Sequence, residues 1–561
     1  MSDWKPETDG SNGTEPASAV PDFYDAVVVG AGFAGMYMLH RLRAMGLSAV
    51  VFEQASDVGG TWYWNRYPGA RCDAESLLYN YSFDAELRQD WQYKWPERYS
   101  RQPVILGYAQ HVADRYDLRR DIRFDSQVTR AAWDEEARQW AVETGNGLRV
   151  RCRFLISAVG CLSDSQVPGI PGLDTFSGDW YHTGRWPHHD VDFTGKRVVQ
   201  IGTGSSGIQA APVIAQTAGH LTVLQRTAQF SIPARNAPLA PELVDASLAR
   251  IKERLAKMAN GPAVRRLWQV LGTRNTFDDS PEQREAYFEQ LWQMGGPLFP
   301  FGYLDTMTDP AANEEAAEFV RRKIRGIVAD PATAEALMPS YPIGAKRQAI
   351  DSGYYETFNR PNVSLEDIGS DPIERVSPDG IMLSSGKLIE ADIIVFATGF
   401  DAMTGPIFRL NIEGTGGRRL RETWQAGPLT YLGIASHGFP NLFMLTGPGS
   451  PSVLSNVIVS AEQHVNWLTS LIGHLHEQEI ERIEADLEAQ SRWTQYVTDM
   501  ASESLYPQAN SWYMGANIPG KPRVFMPYVG GNALYQTEID EVAEKGYTGF
   551  QLSASQTALA R

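Results

Sequence analysis

The chain has 561 residues, 43% hydrophobic and 21% charged, with 15 Trp, 23 Tyr and 22 Phe; at roughly 150 residues per domain that makes about two to four packed domains and excludes a mainly disordered protein. Its 67 Asp and Glu outweigh 50 Lys and Arg, and the net charge of −17 repels phosphate backbones and anionic membranes, which excludes nucleic acid as the expected partner. Neither a run of about 18 apolar residues nor a basic leader occurs, and Cys72, Cys152 and Cys161 lack CxxC spacing, so a cytoplasmic chain with no membrane, no disulfide framework and no metal is expected.

Residues 1–21, rich in Asp, Glu, Ser, Thr, Gly and Pro, lack apolar periodicity and read as a disordered tail. At Tyr24 the character changes. Asp25 to Gly30 predicts a buried parallel strand, Met36 to Met45 a helix and Ser48 to Glu53 a second strand, together a βαβ unit. Phe154 to Gly160 predicts another buried strand ending in small residues. A second βαβ unit follows: Lys196 to Ile201, a glycine turn, a helix through Ala215, then Leu221 to Gln225. Two nucleotide-type units are the main internal repeat. From Pro241 to Ala336 helical periodicity, as in Leu243 to Met258 and Ala311 to Ile327, occurs without strand signals, so 241–336 is expected to be a helical insertion. Asp392 to Gly399 repeats the Phe154–Gly160 pattern. We therefore assign 22–165 and 388–550 to a discontinuous first domain, and 166–240 with 337–387 to the second. The expected fold class is α/β, with two Rossmann-like dinucleotide-binding domains.

Each unit carries a GxGxxG turn between strand and helix, the context in which backbone N–H groups and the helix dipole hold a pyrophosphate. In the first, Gly30-Ala-Gly32-Phe33-Ala-Gly35, Glu53 follows 18 residues after the last glycine, placed to accept from the hydroxyls of an unphosphorylated ribose, as in FAD or NAD. In the second, Gly202-Thr203-Gly204-Ser205-Ser206-Gly207, the next strand ends in Gln225-Arg226 with no acid. An arginine grips a 2′-phosphate that an acid would repel, so this cradle is expected to prefer NADP(H). Two such sites imply an oxidoreductase in which one cofactor passes a hydride to the other. After the first unit stands Gly59-Gly-Thr61-Trp62-Tyr-Trp64, with aromatics where a disulfide reductase needs cysteines. Oxygen is the remaining acceptor.

The segment Phe176-Ser-Gly178-Asp-Trp-Tyr-His182-Thr-Gly-Arg-Trp186-Pro187 matches FxGxxxHxxxW(P/D), and from Tyr24 onward the chain resembles the type I Baeyer–Villiger monooxygenases. The likeness is greatest to their phenylacetone and steroid monooxygenase branch, through Asp351 to Thr357 and Phe400 to Gly405. The resemblance implies FAD and NADP(H) as cofactors, and a hydrophobic cyclic, aryl or steroid-like ketone with O2 as substrates. It also implies an ester or lactone product, formed through a C4a-peroxyflavin. The expected assembly is a monomer or weak homo-oligomer. The fingerprint residues Phe176, Gly178, His182, Trp186 and Pro187 are implied to couple domain movement to catalysis.

The strip Tyr341 to Arg347 resembles the one carrying the family's active-site arginine. This makes Arg347 the catalytic cation, a permanently charged donor beside the flavin, with Asp73 orienting it. Cofactor contacts implied besides the glycines are Phe33, Thr61, Trp62, Trp64, Arg71, Cys72, Asp73, Tyr79, Val128 and Val457 on the flavin side. On the nicotinamide side they are Thr203, Ser205, Ser206, Gln209, Arg226, Thr227, Lys346, Arg347 and Trp512, the last on a mobile loop, Ser511 to Lys521. Ser452, Val453 and Leu454 are implied to line the ketone pocket. Two alternatives are a flavin monooxygenase acting on sulfur or nitrogen, which needs no charged arginine at the peroxide, and a flavoprotein that senses redox state or only turns NADPH and O2 into hydrogen peroxide.

Overall fold

The computed structural model describes residues 21–242, 244–246, 248–249 and 272–554. Apart from Pro21 the expected tail lies outside the described residues, as does most of the expected helix Leu243 to Met258.

The first apolar run becomes the strand Phe23–Val29, flanked in parallel by Ala49–Phe52 on one side and Arg149–Ser157 on the other. Ala49–Phe52 is buried at every position, because both faces of a parallel sheet are covered, and it therefore reads as a continuous hydrophobic run. Ile122–Arg123 extends one edge in parallel, while an antiparallel meander of Val128–Asp134 and Gln139–Thr144 extends the other through Arg149–Ser157. Leu442–Met444 and Ile412–Glu413 return late in the chain to complete eight strands. The helices Phe33–Ala44 and Val457–Glu477 share one apolar core on this sheet, with Met36, Leu39, Val465 and Leu468 fully buried.

The second sheet has five parallel strands in the order Val363–Asp367, His220–Gln225, Arg197–Ile201, Ile393–Phe396, Asp179–His182. This corrects one expected boundary. Residues from 388 were assigned to the first domain, yet Ile393–Phe396 is hydrogen bonded inside the second sheet, between Arg197–Ile201 and Asp179–His182. A short run buried on both faces looks the same in either parallel sheet, so its pattern says "strand" without saying whose. A three-stranded antiparallel sheet, Ile373–Ser377, Gly380–Leu383 and Leu388–Glu390, packs Val376, Ile381 and Leu383 against Val199, Ile201 and Phe396.

Between the paired strands Ser231–Pro233 and Ala349–Asp351 run the helices Pro281–Met294, Pro310–Ile327 and Pro331–Ala336. Each begins with proline at its first position, after a capping Ser280, Asp309 or Asp330 whose side chain accepts first-turn N–H groups. Phe288, Trp292 and Phe319 share a core with Ile208, Ala211 and Ile214 of the helix Ser205–Ile214. The helical stretch thus leans on the second unit.

Candidate active site

The two cradles are built alike. Gly30 (φ +104°) passes so close to the Ala158 carbonyl that a Cβ would stand 2.7 Å from its oxygen, and Gly202 (φ +106°) meets the Ala397 carbonyl at 2.5 Å in the same sense. Both positions demand a left-handed backbone and a bare Cα. The small residues that close Ala158–Gly160 and Ala397–Gly399 are therefore the lids of the two turns. Gly32 and Gly204 begin the following helices with no side-chain cap, which leaves first-turn N–H groups for an anion. Gly35 sits in the first of these helices, against the Gly30 carbonyl, and Gly207 likewise faces Gly202.

Glu53 directly follows the second strand and is 4% exposed. Its carboxylate accepts from Ala31 N (2.6 Å) and Ala55 N (2.8 Å). Burial pushes its pKa up and these N–H groups oppose that rise. It stands in the wall of a cavity together with Gly30, Gly32, Phe33, Thr61, Trp62, Trp64, Tyr79, Val128 and Val457. A glycine cradle, an acid at the ribose position and an aromatic far end fit FAD. Trp62 Nε1 donates to the Tyr79 hydroxyl at 3.0 Å and fixes that end. Arg71, Cys72 and Asp73 are not in this wall: Arg71 pairs with Glu97 (2.8 Å) and donates to Tyr99 O, and Cys72 is buried with its thiol pKa raised by desolvation. The wall also holds Arg185, Arg409 and Thr446, which sequence reasoning missed. Arg185 stands 4.2 Å over the Trp64 ring; its place inside the fingerprint was the available signal.

Beside this cavity the structure brings Arg347 and Asp73 together. Arg347 Nε donates to Asp73 Oδ2 (2.6 Å) and Nη2 to Oδ1 (2.8 Å), a bidentate pair, while Nη1 donates to the Val453 carbonyl. Burial alone would raise the Asp73 carboxyl; the guanidinium outweighs it and holds the pKa below the usual value. The same pairing holds Arg347 protonated against desolvation. Asp73 caps no described helix. Tyr79 of the cavity wall lies within electrostatic reach of both groups.

Val453 lies in the short turn Ser452–Leu454, whose Ser452 is buried at φ +32°. Val453 shares an apolar cluster with Met403, Tyr506, Tyr513 and Met526, against which Leu454, Trp512 and Phe525 pack. Burial pushes the Tyr513 phenol up to about 12, countered by Arg347. Tyr506 and Tyr513 were not anticipated, because nothing in the sequence pattern places them by an arginine some 160 residues earlier. Trp512 packs against Tyr513 with ring centroids 4.3 Å apart.

In the second cradle Thr203 donates to Thr227 O (3.0 Å), and Ser205 and Ser206 form the first turn of the helix. Arg226 and Thr227 are exposed at the end of the strand His220–Gln225. Lys346 reaches the same place, with its ammonium 4.3 Å over the Tyr341 ring. Burial and then the neighbouring Arg226 charge bring its pKa down to about 8. Among the described residues neither cation has a carboxylate partner, a donor set that fits a 2′-phosphate. Gln209 lies in the same helix, and its side chain holds the Arg71 backbone at N and O (3.2 Å each) and accepts from Tyr67 (2.8 Å), tying the second unit to the flavin-side loop. Ser511, 2% exposed, has a hydroxyl with no hydrogen-bond partner among the described residues.

The fingerprint runs through Asp179–His182, the edge strand of the second sheet. Gly178 passes the Asp392 carbonyl, where a Cβ would stand 2.2 Å from the oxygen. Trp186 is buried between Tyr181 and Phe193, with Phe176 and Pro187 partly buried at the two ends. His182 Nδ1 accepts from Gly184 N (2.9 Å), and Nε2 lies 3.3 Å from the Thr398 hydroxyl. Desolvation drives its pKa down to about 4, so it is neutral at ordinary pH.

Two dinucleotide cradles around a half-buried arginine define the class, a two-cofactor flavin monooxygenase. Residues 25–236 match the family model "Flavin-binding monooxygenase-like". A Baeyer–Villiger monooxygenase of Pseudooceanicola batsensis is 43% identical over 542 residues, covering 95% of this chain and 97% of that one. A phenazine N-monooxygenase of Lysobacter antibioticus is 41% identical, covering 96% and 98%. A solved structure of oxidized steroid monooxygenase bound to NADP superposes with a TM-score of 0.88 at 50% identity, covering 95% of this chain and all of that one. The chain belongs to the Baeyer–Villiger monooxygenase family, and it is an FAD-containing, NADPH-dependent oxidoreductase acting on a small molecule. Among the described residues no helix is long and apolar enough to cross a membrane.

Proposed function

We propose that the enzyme inserts oxygen beside the carbonyl of a bulky apolar ketone, aryl or steroid-like, and that Arg347 and Asp73 are its catalytic pair. The observation that carries this reading is the bidentate Arg347–Asp73 contact, set between the glycine-lined cavity and an apolar cluster. FAD held in the Gly30–Gly35 cradle and reduced by NADPH would activate O2, one atom of which enters the product while the other leaves as water. Arg347 keeps its protons at any working pH and holds negative charge as it develops at the transferring oxygen and at the carbonyl oxygen. Asp73 fixes the guanidinium plane and neutralises it at rest. Lys346, Arg226 and Thr227 bind the 2′-phosphate, and Ser205 and Ser206 at the helix start hold the pyrophosphate. Trp62, Trp64 and Tyr79 wall the flavin ring. Val453, Leu454 and Trp512 exclude water from the ketone. All three cysteines are free and buried, which supports a reducing, cytoplasmic setting, and we assign a monomer or weak homo-oligomer.

The test is ester formed per NADPH consumed, with phenylacetone and with a steroid methyl ketone. Ester from either, lost in Arg347→Ala while bound FAD is retained, is expected. The phenazine-oxidising relative favours a second reading, oxygenation of an aromatic nitrogen. N-oxide from phenazine without ester from any ketone would make that reading the correct one.

A further inference from the structure

The segment Phe400–Ala402, which follows the strand Ile393–Phe396, is where three parts of the molecule meet. From the C-terminal loop, Lys521 Nζ donates to Asp401 Oδ1 (2.5 Å) and to the Ala402 carbonyl (2.7 Å), and Asn517 Nδ2 donates to the Phe400 carbonyl (2.7 Å). From the fingerprint, the His182 ring meets Phe400 edge-on at 6.1 Å. From the flavin side, Asp401 N donates to Asp164 O (2.8 Å), and the Asp164 carboxylate accepts from Nε of Arg409 (2.6 Å), a residue of the cavity wall. The Lys521 and Asp401 side chains are only 10% and 19% exposed. At the other end of the same loop, Tyr513 lies against Arg347.

We propose that Lys521 and Asp401 are positioning residues, an ion-pair latch that holds Ser511–Lys521 over the oxygen-transfer site and ties it to the fingerprint through Phe400. This rests on the monooxygenase reading above. Desolvation works against the Lys521 charge, and Asp401 is its principal counterweight, with Asp164 further off. Removing one partner leaves the other buried and uncompensated, so the loop leaves rather than adjusts. An uncovered site lets water reach the reacting oxygen, and NADPH + H⁺ + O2 then ends as NADP⁺ + H2O2. The productive balance is ketone + NADPH + H⁺ + O2 giving ester + NADP⁺ + H2O.

The experiment uses the full-length, FAD-loaded enzyme with Lys521→Met, Asp401→Asn, Lys521→Arg, Asn517→Ala and the exchange Lys521→Asp with Asp401→Lys. Hydrogen peroxide per NADPH is read at saturating ketone, and the NADP⁺ dissociation constant from the flavin spectrum. Lys521→Met and Asp401→Asn are expected to raise the peroxide fraction at least fivefold and weaken NADP⁺ about tenfold. The rate of NADPH oxidation should stay within threefold. Lys521→Arg should resemble the parent, Asn517→Ala should show a smaller effect of the same sign, and the exchange should recover at least half of the loss. If Lys521→Met and Asp401→Asn both stay within twofold on both readouts, or if the exchange is worse than either, the latch is overturned. Should Lys521→Met fail to hold FAD, Asp401→Asn and Asn517→Ala decide. If the parent yields no ester from any ketone, the oxygenation reading fails while the NADP⁺ constants still judge the latch.

Discussion

The two cradles share a turn, a glycine pressed on a carbonyl and an uncapped helix start, yet they differ in what stands at the ribose end. In the first, Glu53 is buried and clamped by two backbone N–H groups inside a cavity. In the second, Arg226 is exposed and Lys346 waits beside it with a lowered pKa. One architecture thus serves two kinds of tenancy. An enclosed, acid-lined site suits a cofactor that stays, and an open rim whose two cations have no carboxylate partner among the described residues suits one that arrives with an extra phosphate and departs after use. A duplicated fold fixes the pyrophosphate; the residues after its second strand fix which dinucleotide follows.

That contrast can be broken from either side. Gly30→Ala forces a Cβ onto the Ala158 oxygen at a φ that L residues avoid, at a cost of about 1–3 kcal/mol in strain alone; a colourless protein with no activity is expected, read from the flavin absorbance. Gly202→Ala, by contrast, should give a yellow protein that NADPH cannot reduce anaerobically. Next in size, Arg347→Ala should keep FAD and lower ester formation by about 100- to 1000-fold, the usual scale for losing a preorganised charge donor, measured as product per time by gas chromatography.

The sharpening experiments are smaller. Arg226→Ala with Lys346→Ala removes two charge-assisted contacts and should lower kcat/KM for NADPH by about 100-fold with little change for NADH; an unchanged ratio between the cofactors would remove the phosphate assignment. Smallest is the pH effect. Lys346 is charged below about 8 and neutral above it, so KM for NADPH should climb between pH 7 and 9, by up to about tenfold if the neutral amine contributes nothing. KM for NADH should stay flat over that interval, and Lys346→Arg should abolish the rise.

Much of this was legible in the sequence because local geometry left local marks. Gly30, Gly32 and Glu53, or Gly202 and Arg226, are spaced by one turn, one helix and one strand, so chain order reports their placement. The fingerprint was equally local. What sequence pattern did not reveal was set by tertiary partners. The apolar strand Ile393–Phe396 fits either sheet, and only pairing with Asp179–His182 decides. Gln209, expected as a cofactor contact, also holds the Arg71 backbone, a tie across the fold that no spacing reports. Tyr513 approaches Arg347 across the fold, a contact with no period to betray it.

His182 has a further consequence. Its ring is neutral, buried and committed through Nδ1 to the Gly184 N–H. As the surroundings fall from about pH 6.5, an unfolded chain takes up a proton there that the folded chain refuses until about 4. Stability is therefore surrendered on acidification through that interval and is complete above it. A ring buried to hold a turn between the second sheet and the segment after Phe396 is thus also a place where acid loosens the fold, so the chain carries its own limit on how sour its surroundings can become.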